Sequence, residues 1–121
     1  MRILFAIGNR AAEEYIEKIL KEKNDKRIEK DENPVKYEFV GYAVHKDTII
    51  EMIKTKGPDI VILREGLDGP LDIFELAKAI KKGFPKIRII FLAGNRKIGD
   101  KKISNLVSFN IYDIIMGNNI N

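Results

Sequence analysis

The sequence predicts one doubly wound α/β domain with five parallel strands over residues 1–121. Three observations carry that expectation. Short apolar runs rich in branched side chains, Ile3 to Ile7, Ile60 to Leu63 and Ile87 to Leu92 (interrupted only by Arg88), suit strands buried on both faces of a parallel sheet. Segments of helical period lie between the runs, so strands and helices alternate and right-handed crossovers are implied. The chain has 121 residues, 45% hydrophobic and 33% charged, which matches a soluble domain with a single core.

Each element can be read in turn. The first strand stops at Gly8, and Ala12, Tyr15, Ile16, Ile19 and Leu20 then recur on one helical face. Lys21 to Pro34 follows with five basic and five acidic residues and a single apolar one, Ile28; it is expected to be a solvated extension of that helix plus a mobile loop. Tyr37 to Val44 alternates imperfectly and shifts phase near Gly41, which predicts an edge strand with a bulge. Ile49, Ile50 and Ile53 form the next helical stripe, with Asp47 as the expected N-cap. After the third strand, Asp72 and Glu75 give a helix start resembling a capping box. That helix buries Ile73, Leu76, Ala77 and Ile80 and ends at Gly83-Phe84-Pro85. Asp100 precedes Ile103, Leu106 and Val107, and Ile111 to Met116 reads as an interrupted fifth strand.

Composition removes several function classes. No apolar run approaches the roughly 20 residues of a membrane-crossing helix, and Met1 to Gly8 is too short for a signal peptide, so it reads as the first strand of a cytoplasmic protein. Without cysteine there are no disulfides, thiolate nucleophiles or sulfur-ligated metals, and one histidine cannot build a metal cluster. No cofactor or metal is expected. The net charge is +4, and position matters more than the total. Residues 1 to 85 are balanced, with 16 basic and 16 acidic side chains, whereas residues 86 to 121 carry six basic against Asp100 and Asp113.

Gly57-Pro58-Asp59-Ile60-Val61-Ile62-Leu63, followed by Leu67-Asp68-Gly69 and a helix, resembles the third strand and following loop of response-regulator receiver domains. Ile87 to Ala93 resembles their fourth strand, and Asn110 to Ile115 their fifth. The resemblance covers nearly the whole chain and implies a flavodoxin-like sheet in the order 2-1-3-4-5, with its working edge at the carboxyl ends of the strands. A receiver accepts a phosphoryl group there through an acid pair after strand one, an acceptor aspartate ending strand three, a hydroxyl after strand four and a lysine after strand five. The corresponding positions hold Ile7-Gly8 or Gly8-Asn9, Arg64, Ala93 and Gly117. Arginine cannot accept a phosphoryl group, so the resemblance implies a pseudo-receiver with Arg64 at the degenerate acceptor position. The chain is also similar to the receiver-like module that precedes MinD/ParA-type ATPases of the pilus-assembly class. A longer natural polypeptide carrying this domain at its N-terminus is therefore expected. Gly117 to Asn121 cannot supply a receiver's last helix, so one sheet face is expected to be covered by further chain or by a homodimer.

Gly8-Asn9-Arg10 and Gly94-Asn95-Arg96 repeat one tripeptide at equivalent strand ends, on either side of Arg64-Glu65-Gly66. Arg10, Arg64 and Arg96, with Asn9 and Asn95, are thus candidates for an anion or nucleotide site. The competing reading has glycine ending strands, asparagine turning the chain and Glu65 pairing with one of the arginines. Lys97, Lys101 and Lys102 flank Asp100 at a helix start, where cations gain nothing from the macrodipole, and are candidates for a partner-binding surface. His45, Tyr112 and Asp113 read as structural, and no sequence-level triad or P-loop is present. The leading expectation is a phosphorylation-independent regulatory domain that binds a protein or an attached output domain and is not an enzyme. An anion sensor is the first alternative. A basic nucleic-acid-binding module is the second, disfavoured because no binding motif accompanies the charge.

Overall fold

In a computed structural model, described for residues 1–97 and 99–116, the apolar runs become the strands of one parallel sheet. They are β1 (Arg2–Ala6), β2 (Glu38–Tyr42), β3 (Ile60–Arg64), β4 (Arg88–Leu92) and β5 (Asp113–Ile115), arranged β2-β1-β3-β4-β5. All four neighbouring pairs run parallel. The helices are α1 (Arg10–Glu29), α2 (Ile49–Lys56), α3 (Ile73–Gly83) and α4 (Lys101–Ser108). The expected order and class are therefore the observed ones, with four helices among the described residues.

Strand alternation divides the interior into two layers. Leu4 and Ala6, Val61 and Leu63, and Ile89 and Phe91 face α2, α3 and α4, where Ile53, Ile80 and Leu106 complete the larger core. Ile3, Phe5 and Ile7, Ile60 and Ile62, and Leu92 face the other way, against Ala12, Ile16 and Leu20 of α1. Runs apolar at every position are what a sheet covered on both faces requires. Phe5 also stacks on Phe39 and Tyr42 of the edge strand, each with ring centroids 5.5 Å apart.

The edge strand carries the expected bulge. Ile3 pairs with Phe39 and Leu4 with Gly41, so Val40 is the extra residue. A Cβ at Gly41 would lie 2.8 Å from Met52 Cε and 3.0 Å from Leu4 Cδ1, so a side chain there would have to displace the ends of both.

Asp72 caps α3 by accepting from the Phe74 and Glu75 amides, and Asp100 caps α4 by accepting from those of Lys102 and Ile103. The Asp47 expectation is corrected. A turn of 3₁₀ helix, Lys46–Thr48, leads into α2, and His45 caps it through Nδ1, which accepts from the Asp47 amide at 3.3 Å. The polar stretch after Leu20 continues α1 to Glu29, and the return to β2 is pinned: Asn24 Nδ2 donates to the Val35 carbonyl at 2.7 Å while its Oδ1 accepts from the Val35 amide at 2.9 Å. β5 is shorter than expected; Ile111 is buried in the larger core ahead of it and Tyr112 is exposed. The reading of residues 117 to 121 as unable to form a last helix lies outside the described residues. No helix among those described is long and apolar enough to cross a membrane.

Candidate functional site at the carboxyl edge of the sheet

Parallel strands end together, so the segments after β1, β3 and β4 meet along one edge. Arg10, Arg64 and Arg96 all follow such strand ends, yet their guanidinium groups engage separate partners.

Arg10, in the first turn of α1, turns along its own helix. Its Nε lies 3.3 Å from Glu14, its Nη1 lies 3.6 Å from Glu17, and the guanidinium covers the Tyr42 ring at 4.8 Å. Asn9 is the N-cap of α1, its Oδ1 accepting from the Ala12 amide at 3.0 Å. Asn95 is exposed at a bend.

Arg96 meets Glu65 in a two-pronged ion pair. Its Nε donates to Glu65 Oε1 and its Nη2 to Oε2, both at 2.9 Å, and its Nη1 donates to Asp100 Oδ2 at 3.1 Å. The Gly94 amide donates to Glu65 Oε1 at 3.0 Å, and the guanidinium lies over Phe74, 4.8 Å from the ring centre. One arginine thus ties the β3–α3 loop, the β4–α4 loop and the cap of α4 together. Hydrogen bonding from Arg96 holds the Glu65 carboxyl below the ordinary glutamate range; burial works against this and the Gly94 amide adds to it. Glu65 in turn holds the Arg96 guanidinium in its charged form.

Arg64 differs from the other two. Its Nε donates to the Ile7 carbonyl at 2.6 Å, bridging the ends of β3 and β1. A Cβ at Gly66 would lie 2.6 Å from Arg64 Nη1, and one at Gly8 would lie 3.8 Å from Nη2. The half-buried guanidinium therefore occupies a slot bordered by two residues without side chains. Gly8 also has φ +68°, a left-handed conformation that favours glycine. Among the described residues Arg64 has no ion-pair partner. A cavity of about 280 Å³ beside it is lined by Arg64, Glu65, Gly66, Leu92, Ala93 and Gly94.

Among the described residues this edge offers cationic donors and amides, with no nucleophile placed beside a base. Among the described residues no group of three His, Asp or Glu side chains could hold a metal ion. Ala93 is buried at the receiver's hydroxyl position, and the lysine position, Gly117, lies outside the described residues. Lys97, Lys101 and Lys102 are all exposed. Lys101 and Lys102 line a groove of about 320 Å³ between α3 and α4 together with Asp72, Phe74, Glu75 and Lys78. Lys102 Nζ lies 5.3 Å from the Phe74 ring centre, and Lys78 pairs with Glu75 at 2.7 Å. Sequence reasoning missed this participation of Phe74, because an aromatic at a helix start reads equally well as core. His45 pairs weakly with Asp47 at 3.6 Å, and Asp113 is gripped by Arg88 through two hydrogen bonds of 2.7 Å, so both have local structural partners.

The strand order and the two helical layers define the class, a flavodoxin-like doubly wound domain. Within that class the fold is that of response-regulator receiver domains. The signal receiver domain of a modulated diguanylate cyclase from Desulfovibrio desulfuricans G20 is similar with a TM-score of 0.69 at 17% identity, over 95% of this chain and 79% of that one. The receiver domain of a DNA-binding response regulator from Colwellia psychrerythraea 34H gives 0.70 at 18% identity, over 96% and 85%. The Salmonella typhimurium response regulator RcsB gives 0.74 at 19% identity over 99% of this chain, which spans 53% of the RcsB chain. No protein-family model and no curated protein sequence matches the chain.

Proposed function

We propose that the chain is a pseudo-receiver, a signalling domain that keeps the receiver fold and acts by binding a protein or an attached output domain without being phosphorylated. The observation that carries this is Arg64. A receiver collects acidic groups at this edge to bind a divalent cation, whereas here a guanidinium already lies between the ends of β1 and β3 and donates to Ile7. Its fixed positive charge disfavours a metal ion and supplies no acceptor oxygen. The Glu65–Arg96–Asp100 chain further favours one arrangement of the loops after β3 and β4.

The partner surface proposed is the α3–α4 side with Lys97, Lys101 and Lys102. Asp72 and Glu75 line the same groove, and that mixture suits a peptide carrying both charges and an apolar residue for Phe74 better than a uniform phosphate backbone. Solved relatives by fold include RcsB dimers bound to DNA, so pairing of two copies is a compatible mode. No enzymatic step is assigned.

A second reading rests on the Arg64 guanidinium, which has no ion-pair partner among the described residues and could bind a phosphate-bearing ligand. Phosphate and nucleotides would then raise the melting temperature, and Arg64→Ala would remove the effect. Intact mass after incubation with acetyl phosphate and Mg²⁺ tests the leading reading. No phosphoryl adduct is expected on the chain or on its Arg64→Asp variant, because the other site positions still lack their groups. A magnesium-dependent acyl phosphate on the unaltered chain overturns it.

A further inference from the structure

Between Glu75 and Asp100 the sequence holds seven basic residues and no acidic one, and Lys54-Thr55-Lys56-Gly57-Pro58 adds two more bases. The fold brings parts of both stretches together at the amino edge of the sheet, where α2 turns into β3 and α3 into β4. A hollow of about 380 Å³ lies between the two turns, on the face covered by α2 and α3. Its lining is apolar: Ile53, Pro58, Phe84, Pro85 and Ile87, with Gly57 and Lys86 beside them. A Cβ at Gly57 or Gly83 would meet nothing within 4 Å, so the space over both turns is open. Lys81 fixes one turn, its Nζ donating to the Ile87 carbonyl at 2.8 Å. Lys54, Lys56, Lys82 and Lys86 are exposed, with no ion-pair partner among the described residues. Lysines near a helix C-terminus ordinarily serve its free carbonyls. At α2 Arg2 already does so, donating to the Lys56 and Gly57 carbonyls, and Lys86 belongs to no helix.

We propose that this hollow binds an acidic peptide segment of a partner protein, with one large apolar side chain seated between Pro58 and Phe84 and carboxylates on both sides of it. Lys54 and Lys56 receive one carboxylate flank, and Lys82 and Lys86 the other. The apolar anchor supplies affinity and the lysines set the orientation. Charge decides among occupants. A second copy seated here would set lysines against lysines in a protein of net charge +4. A nucleic-acid backbone would answer the lysines but has no apolar group for Pro58 and Phe84. The hollow lies at the opposite edge of the sheet from Arg64, so the proposal stands independently of how that residue is read.

The test uses three labelled peptides of about nine residues: a central tryptophan flanked by glutamates, the same flanked by glutamines, and a central alanine flanked by glutamates. Affinity is read by fluorescence anisotropy and location by amide chemical shifts. The glutamate–tryptophan peptide is expected to bind roughly tenfold tighter than either control, with its advantage over the glutamine peptide shrinking as salt rises. Shifts are expected at Ile53, Gly57, Lys86 and Ile87. Lys56→Glu with Lys86→Glu, both at exposed positions, should abolish the preference for glutamate flanks. Pro85→Asp, which sets a carboxylate beside the anchor, should weaken both tryptophan peptides. Equal affinities, failure of all three to bind, or shifts confined to another surface would each overturn the proposal. So would a short duplex DNA that binds the same residues more tightly than the peptide, or self-association that perturbs the same amides.

Discussion

At the residue scale, Glu13 and Glu65 are carboxylates with opposite effects on stability. Glu13 is 4% exposed, its Oε2 has no hydrogen-bond partner among the described residues, and Arg10 Nη1 is 3.8 Å from its Oε1. Burial raises its pKa, and Arg10 only partly opposes this. A carboxyl whose folded pKa is raised favours the folded state most at low pH and loses that contribution as pH rises through the folded pKa. Glu13→Gln should therefore be more stable than the parent at pH 7, by about 2 to 4 °C in Tm, with the gain fading near pH 4. Glu65 has the opposite sign: its pKa is lowered, so its contribution is complete at neutral pH and is lost as pH falls below the ordinary glutamate value. Glu65→Gln should cost about 1 to 2 kcal/mol at pH 7, measured by urea denaturation, and the difference should narrow in acid.

At the element scale, the two helix caps differ in what else they hold. Among the described residues Asp72 accepts only from amides of its own helix start, whereas Asp100 also accepts from Arg96. Asp72→Ala should cost about 1 kcal/mol, and Asp100→Ala more, with amide shifts extending into the Glu65 loop. Both caps were legible because aspartate preceded an apolar stripe. The α2 start was not, because aspartate two residues after His45 gives the same local pattern whether it caps the helix or sits in a preceding 3₁₀ turn. The end of α1 was equally hidden. Lys21 to Glu29 offers only Ile28 as an apolar marker, and what pins the return is the Asn24 clamp on Val35, a side-chain contact that no periodicity reveals. The bulge could be read because Gly41 broke the alternation where Val40 proved to be the extra residue.

At the scale of the whole molecule, local signals gave the alternation of strands and helices with right-handed crossovers, whereas the strand order came from the resemblance to receiver domains. The site was legible only to its edge. Strand ends put Arg10, Arg64 and Arg96 on one side of the sheet, but side-chain direction depends on neighbours that sequence position does not reveal. Glu14 and Glu17 draw Arg10 along α1, Glu65 and Asp100 draw Arg96, and the Ile7 carbonyl takes Arg64. On the proposed reading, Arg64 and the Glu65–Arg96 pair hold this edge without a metal–phosphoryl switch. Amide spectra of the ¹⁵N-labelled domain, recorded with Mg²⁺ and then with Mg²⁺ plus the phosphoryl mimic beryllofluoride, test it most directly. Resonances at Ile7 to Asn9, Arg64 to Leu67 and Ala93 to Arg96 are expected to stay unchanged. Saturable, magnesium-dependent shifts centred on those amides would contradict it.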